Sequence, residues 1–369
     1  MKIALIAHAL YPISQPYAGG LEMITHLLAD ALVERGYDVT LFAHADSETR
    51  AKLVPYMSRD KYETMFYASE HEHIGMNRQD MYLYVAYQNA MSQLLAEDQT
   101  KPFDVVHNNS LHYVPMLLAT SLDERVITSF HTPIFAHLRL ALQILKDKPN
   151  QGRFTAVSGY QQQIYNEFVP SIVVYNGIDV DAWQANLKPI ADENYVWLGR
   201  ICPEKGTHLA MNMCIKAGKR LILIGPKSNA DYFETEVAPR LAKHGDLIQH
   251  IGHLTQPEIN DHLKQATALL FTSTWAEPYG LVLAESLACA TPVLGFSVGA
   301  MPEIITDDVG VVVPFDTANK TFDEQVFVAG FEKIQHIDRQ TCRQRAVDFC
   351  GAERMVADYL DLYQQGRSV

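Results

Sequence analysis

Three short segments of this 369-residue chain set charged side chains beside glycine or proline at the start of a helical pattern. In Gly199-Arg200-Ile201-Cys202-Pro203-Glu204-Lys205-Gly206, two cations lie five residues apart across a proline-containing turn. Beside a helix N-terminus they would neutralise a diphosphate and stabilise it as a leaving group. In Glu277-Pro278-Tyr279-Gly280-Leu281 a carboxylate precedes a helix, and Glu285 follows eight residues later, inside it. The two glutamates cannot share one helical face. They bracket a helix start whose N–H groups around Tyr279–Leu281 are free to meet an anion. A carboxylate only accepts hydrogen bonds, which suits it to sugar hydroxyls. The third segment is Ala18-Gly19-Gly20-Leu21-Glu22. Paired glycines let the backbone approach a ligand, and the helix that follows offers free N–H groups and the positive end of its dipole.

The elements that must position these loops are strands and helices in alternation, the pattern of a parallel sheet built from βαβ units. The spacing predicts strands at Lys2–Ala7, Val39–Ala43, Val105–His107, Val126–Phe130, Phe154–Val157 and Ile172–Tyr175. The first helix carries Leu21, Ile24, Leu28, Ala31 and Leu32 on one face and ends at Gly36. After Asn176-Gly177 the pattern restarts, with strands at Tyr195–Leu198, Leu221–Ile224, Ile248–Ile251, Ala268–Phe271, Val293–Phe296 and Gly310–Val313. The division is therefore expected near residue 176, with a first domain over 1–175, a second over 176–345, and a helical end over 346–369. The polar run Gln184–Asn194 reads as a linker in the same region. Cys342 to Gln365 reads as helical, with Val347, Met355, Tyr359, Leu362 and Tyr363 as its apolar positions and no following strand to cover, so it is expected to cross back to the first domain. Met57–Asn77, with Glu70-His71-Glu72-His73 inside it, has no clear period and reads as an irregular insertion over a site. Open α/β sheets bind ligands outside the carboxyl ends of their strands, where all three charged or glycine-rich loops fall.

Composition narrows the class. At 41.5 kDa the chain has room for about two domains. It is 48% hydrophobic and 20% charged, enough for two buried cores. The net charge of −13 repels nucleic acid and anionic lipid and argues against a general polyanion binder. No apolar run approaches the roughly 20 residues of a membrane helix, and the residues after Met1-Lys2 do not form a signal peptide. Stable membrane insertion is not expected. The five cysteines, odd in number and without C-x-x-C, read as free thiols of a reducing cytoplasm. Neither G-x-G-x-x-G nor G-x-x-x-x-G-K-[ST] occurs, which removes the main support for a nicotinamide dehydrogenase or a P-loop NTPase.

Together, Gly199–Gly206, the Glu277–Glu285 block and Val174-Tyr175-Asn176-Gly177-Ile178-Asp179 resemble the retaining glycosyltransferases of family 4. Gly19-Gly20, Ala156-Val157-Ser158 and Ser129-Phe130-His131 stand in the matching places of the first half, so the likeness spans nearly the whole chain. It implies the GT-B fold: two Rossmann-like α/β domains facing across a cleft. It also implies a sugar-nucleotide donor held mainly by the second domain, with the acceptor on the first. Arg200 and Lys205 would hold the diphosphate, Glu277 the donor-sugar hydroxyls, the backbone of Tyr279, Gly280 and Leu281 the sugar and phosphate, and Glu285 the ribose. His131 would lie near the reacting sugar, and Gly19 and Gly20 would approach the phosphate. The implied reaction moves a hexose from a nucleoside-diphosphate sugar, a UDP-sugar by default, to a hydroxyl of a carbohydrate or other small acceptor. It retains configuration by same-face substitution and needs no metal or other cofactor. A phosphate oxygen of the leaving group accepts the acceptor's proton, so the protein supplies preorganised positive charge rather than a strong base. A sugar-nucleotide epimerase or a non-catalytic sugar-nucleotide binder on the same fold is the alternative, although no base for inversion is evident.

Two departures qualify the likeness. Gly299-Ala300 stands where many relatives have Gly-Gly. Tyr17-Ala18 replaces the Lys-Thr of the starch and glycogen synthase branch and argues against that branch. Three other patterns read as coincidences. Gly295-Phe296-Ser297-Val298-Gly299 matches a hydrolase elbow, but only His336 follows it as a candidate partner. Asp179-Val180-Asp181 matches a metal motif but sits where a turn or cap is expected. His71, His73, His107 and His112 have no metal-ligand spacing and read as acceptor contacts or surface histidines. The charge is −5 over the first 175 residues and −8 over the rest, so the half expected to bind a diphosphate is the more acidic. No motif encodes the acceptor, the sugar, its nucleotide, the linkage or the oligomeric state.

Overall fold

In the computed structural model, all residues are described except 61–76, 119–120, 123–124, 149–151, 189, 191–192 and 366–369. Most of the expected insertion at Met57–Asn77, including His71 and His73, lies outside the described residues. The chain forms two compact units: Met1–Tyr175 with Met355–Val369, and Asn176–Arg354. The first holds a seven-stranded parallel sheet of β1 (Lys2–Ile6), β2 (Asp38–Ala43), β3 (Lys52–Pro55), β4 (Val105–Asn108), β5 (Val126–Phe130), β6 (Arg153–Ala156) and β7 (Ser171–Val173). Their order is β3-β2-β1-β4-β5-β6-β7. The second holds β8 (Asn194–Leu198), β9 (Arg220–Ile224), β10 (Ile248–Gly252), β11 (Ala268–Phe271), β12 (Val293–Phe296) and β13 (Gly310–Val313), in the order β10-β9-β8-β11-β12-β13. Both sheets thus reverse direction beside their first strand, between β1 and β4 and between β8 and β11. A crevice opens at such a switch point, outside the carboxyl ends of the two strands.

Central strands covered on both faces should be apolar throughout, and β1, β5, β11 and β12 are fully buried. The twelve strands read from sequence all occur within a residue or two of their expected bounds. Two elements escaped the pattern. Strand β3 is a four-residue edge strand ending on Pro55, too short to show alternation. A small hairpin pairs Phe315–Asp316 with Thr321–Phe322.

The loops at the first switch point are held from beneath by tyrosines. Tyr82 and Tyr87, on the helix Arg78–Thr100, and Tyr56 are almost wholly buried. Tyr82 donates to Ala9 O (3.0 Å), Tyr56 to Ala7 O, and Tyr87 to Ser110 O (3.0 Å) while accepting from Ala9 N–H. Each phenol thereby satisfies loop backbone that would otherwise be buried unpaired.

The chain's end corrects the sequence reading. It is not one helix but two, Arg339–Cys350 and Ala352–Gln365, broken at Gly351. The break lets the backbone pair with the chain after the unit boundary: Ile178 N–H donates to Cys350 O and Ala352 N–H to Ile178 O, both 2.8 Å. Gly177 packs there so closely that a Cβ would lie 2.6 Å from Ala352 Cα. Val347, read as an apolar contact, is half exposed, whereas Met355, Tyr359, Leu362 and Tyr363 are buried. Gln184–Asn194, read as a linker, lies inside the second unit. Gln184 exchanges hydrogen bonds with Asn260, and Arg339 donates to Asn186 O.

His107 is a further correction, for it is neither a surface group nor an acceptor contact. It is fully buried, hydrogen-bonded through Nδ1 to Tyr363 Oη (2.7 Å) and through Nε2 to Ser129 Oγ (2.6 Å). Ser129 Oγ also meets Thr155 Oγ1 (2.7 Å) and Tyr359 Oη (3.0 Å). Burial, with smaller contributions from the charges of His131 and Arg153, holds the imidazole down to about 3, so it is neutral. Acid weakens the fold here, because below the ordinary imidazole range the unfolded chain takes up a proton that folded His107 refuses. Tyr363→Phe leaves Nδ1 buried and unpaired and is expected to cost about 1–3 kcal/mol in urea unfolding. An unchanged midpoint would show that the bond adds nothing.

Candidate active site

The two charged loops follow β8 and β11, the strands flanking the second switch point. After β8 the chain makes a short helical turn at Pro203–Lys205, then enters the helix Thr207–Ala217 through Gly206. Gly206 has φ +63°, and a Cβ there would lie 2.1 Å from Thr272 O. Only glycine allows this approach. Thr272 joins the loops by donating to Gly206 O (2.9 Å) and accepting from Trp197 Nε1–H (3.1 Å), and Thr274 N–H donates to Glu204 O (2.8 Å). The loops therefore form one rigid unit.

Locked in this way, Lys205 Nζ donates to Glu277 Oε1 at 2.7 Å, with both side chains largely buried. The structure thus brings two of the sequence-predicted residues into direct contact. Arg200 stands apart: its side chain is 61% exposed and only approaches Glu204, at 3.9 Å. Tyr279 is buried with its hydroxyl turned toward the Cys350 thiol, and burial drives its ionisation well above the usual phenol range. Only its backbone is available to a ligand. Gly280 caps the helix Leu281–Ala288, whose first N–H groups have no intrahelical acceptor. The carboxylate of Glu285, one turn inside, has no hydrogen bond or ion pair among the described residues, and desolvation raises it to about 7.

Sequence reasoning missed what holds Glu277. After β12, Gly299 (φ +55°) lies directly on it, so that a Cβ would sit 2.2 Å from Glu277 O and 2.5 Å from Glu277 N, and Ala300 N–H donates to Glu277 O at 3.0 Å. Gly299 was legible only as a match to a known loop, since its partner is 22 residues away in sequence. Gly299→Ala is expected to cost about 1–3 kcal/mol of stability and to lower turnover by displacing Glu277. Wild-type Tm and turnover together would show that the loop yields without consequence.

His131, Gly19 and Gly20 belong to the first unit. His131 follows β5 and bonds through Nε2 to Asn109 Oδ1 (3.0 Å) after β4. Because that oxygen only accepts, Nε2 carries the hydrogen and Nδ1 keeps a lone pair. Nδ1 is buried without a partner, and burial lowers the ring to about 4. Gly19 is extended, and Gly20 begins the helix Gly20–Glu34, where buried Glu22 lies 3.3 Å from His8 Nδ1.

The remaining patterns are structural. Asp179 caps the turn Val180–Ala182, and Asp181 is fully exposed beside Arg343. All five cysteines are free and buried. Among the described residues no three His, Cys, Asp or Glu side chains converge as a metal site, and no helix is long and apolar enough to cross a membrane.

Residues 18–182 match the family described as Glycosyltransferase Family 4, and residues 181–326 match Glycosyl transferases group 1. The chain is 25% identical to a D-inositol 3-phosphate glycosyltransferase of Mycolicibacterium smegmatis over 350 residues, covering 84% of this chain and 78% of that protein. It is 24% identical to a glycogen synthase of Mycobacterium tuberculosis over 356 residues, covering 86% and 84%. The structure of HepE from Anabaena in complex with UDP and glucose superposes with a TM-score of 0.69 at 15% identity, covering 99% of this chain and all of that one. Two consecutive family matches over two parallel α/β sheets make this chain a GT-B glycosyltransferase of family 4.

Proposed function

We propose that this glycosyltransferase moves a hexose from a nucleoside-diphosphate sugar, with UDP-sugar the first choice, to a hydroxyl of a carbohydrate or other small acceptor, with retention and without a metal. The observation that carries this reading is the Lys205–Glu277 pair at 2.7 Å, fixed beside a free helix N-terminus at a switch point. A diphosphate there meets a cation and unpaired N–H groups, while Glu277 keeps an oxygen for sugar hydroxyls. In this reading Arg200, exposed beside Glu204, adds a second cation when the donor arrives. Glu285, partly buried and with its carboxylate unpaired among the described residues, takes the ribose hydroxyls. Backbone of Tyr279, Gly280 and Leu281 contacts sugar and phosphate, and Gly19 and Gly20 admit the phosphate from the first unit. The structure of HepE with UDP and glucose supports a uridine nucleotide as the first donor to try.

Departure of the diphosphate leaves an oxocarbenium-like centre, and a phosphate oxygen takes the acceptor's proton on the same face. His131, neutral and with a free lone pair at Nδ1, serves as a hydrogen-bond acceptor beside the reacting sugar rather than as a strong base. The test incubates the protein with radiolabelled UDP-glucose and other nucleotide sugars, with EDTA and with added magnesium, and reads product anomer by NMR. Transfer with retention in EDTA is expected. Donor isomerisation without transfer would favour an epimerase, and an inverted product or strict dependence on magnesium would overturn the corresponding part.

A further inference from the structure

At the first switch point, the loops after β1, β4 and β5 bring together aromatic rings and neutral polar groups. His112 stacks on Tyr87 (centroids 4.7 Å apart) and on Tyr113 (4.4 Å), both with planes at 28°. His137 lies 6.1 Å from each of His112 and Tyr113 and stacks on Phe135 at 6.0 Å. Tyr11 lies 6.2 Å from His8. Tyr11 and Phe135 are about half exposed, so this surface is open to a ligand. Leu111, between the two loop ends, has φ +60°, a strained conformation for a branched side chain that fixes where His112 begins.

Beside the rings are three buried side-chain atoms without partners: Asn109 Nδ2, His131 Nδ1 and Thr132 Oγ1. Asn109 is 1% exposed. Thr132 is held in place, its carbonyl accepting from Gln161 Nε2 and Tyr165 Oη. These atoms comprise an amide donor, an imidazole acceptor and a hydroxyl, a set that matches hydroxyl groups and carries no charge. His112 is neutral as well. Its Nδ1 accepts from Val114 N–H, and burial, with the nearby His137 and His8, lowers the ring to about 4.

The loops at 7–19, 109–112, 131–135 and 157–158 contain no lysine or arginine. Glu22, a buried acid, lies beneath them, and Asp80 faces Tyr113. A phosphate or carboxylate brought onto this surface would be desolvated with no cation from these loops to receive it, at a cost the ring contacts could not offset. Pyranose rings present C–H faces to aromatic rings and hydroxyls around their edge, and this surface offers partners for both.

We propose that the acceptor is an uncharged carbohydrate, free of phosphate and carboxylate, that stacks on the surface formed by Tyr11, His112, Tyr113, His137 and Phe135 and hydrogen-bonds to Asn109, His131 and Thr132. This rests on the reading of the chain as a transferase whose acceptor occupies the first unit.

The test presents the full-length protein with methyl α-glucoside and maltose, each beside its 6-phosphate, and records saturation-transfer NMR and label transfer from UDP-glucose. The uncharged member of each pair is expected to bind and accept sugar, and its phosphate to do so at least tenfold more weakly. Tyr11→Ala and Phe135→Ala, both at half-exposed positions, should each weaken acceptor binding severalfold and leave UDP-glucose binding unchanged. Preference for either phosphate, or wild-type acceptor binding in both variants, would overturn the proposal while leaving the transferase reading intact. Isomerisation of the donor with no transfer to any acceptor would overturn the transferase reading itself.

Discussion

Lys205→Ala is expected to slow turnover by roughly 10²–10³-fold, about 2–4 kcal/mol of transition-state stabilisation, and to lower Tm because it strands a nearly buried carboxylate. Lys205 is mostly buried, its ammonium is fixed 2.7 Å from Glu277, and its loop is held to the next by Thr272 and Thr274. A cation so placed meets negative charge developing on a leaving diphosphate without reorganising, and a preorganised contact of this kind acts most in the transition state. Removing it also leaves the nearly buried Glu277 without its counterion, so sugar handling should suffer along with departure. Steady-state kinetics on the variant decides the matter. Turnover within a few-fold of wild type would place the diphosphate elsewhere. Arg200→Ala should cost less, because a side chain that is 61% exposed and loosely held must be immobilised when the donor binds. That is a revision of the sequence reading, which gave the two cations equal parts.

The second large effect concerns pH. With its carboxyl raised to about 7 by burial, Glu285 is half protonated near neutrality in the free protein. Ribose hydroxyls donating to the carboxylate favour the ionised form, so donor binding should release a proton and strengthen as pH rises through 7. UDP-glucose is the right probe, since its diphosphate diester has no ionisation in that range. Between pH 6 and pH 8 the affinity should rise about tenfold, and titration calorimetry in buffers of different ionisation enthalpy should report the released proton. Stability of the free protein runs the other way. The folded state holds a proton between pH 4.5 and 7 that the unfolded chain gives up. Desolvation of Glu285 therefore costs nothing at low pH, and on the order of 3 kcal/mol is lost as pH rises from 4.5 through 7. Glu285→Gln should flatten both profiles. If the wild-type affinity is flat over the same range, Glu285 does not meet the nucleotide.

Much of this arrangement was legible because it depends on local pattern. Strands such as Val293–Phe296 are short apolar runs bounded by breakers, and Glu277-Pro278-Tyr279-Gly280 marks a helix start by its residue types alone. Contacts between distant residues were not legible. Nothing near His107 in sequence announces Tyr363, 256 residues later, so its buried polar network read as a surface histidine. Nor could spacing show that Gly299 lies against Glu277, or that His131 is oriented by Asn109. Gly351 broke a helix that the periodicity carried straight through, because the compensating hydrogen bonds come from Ile178. Each miss is a case of tertiary pairing overriding local preference.

The return of Met355–Val369 to the first unit fixes an order of events during synthesis. The ribosome delivers β1 to β7 first, yet the hydroxyls of Tyr359 and Tyr363 that satisfy Ser129 and His107 emerge last. Until then the N-terminal sheet carries a buried imidazole and an uncovered apolar strip, and its completion waits on the folding of the unit translated in between. Chains truncated before residue 355 should therefore show a protease-resistant second unit and a sensitive first one. Resistance of both would mean that the N-terminal half closes without its last helix.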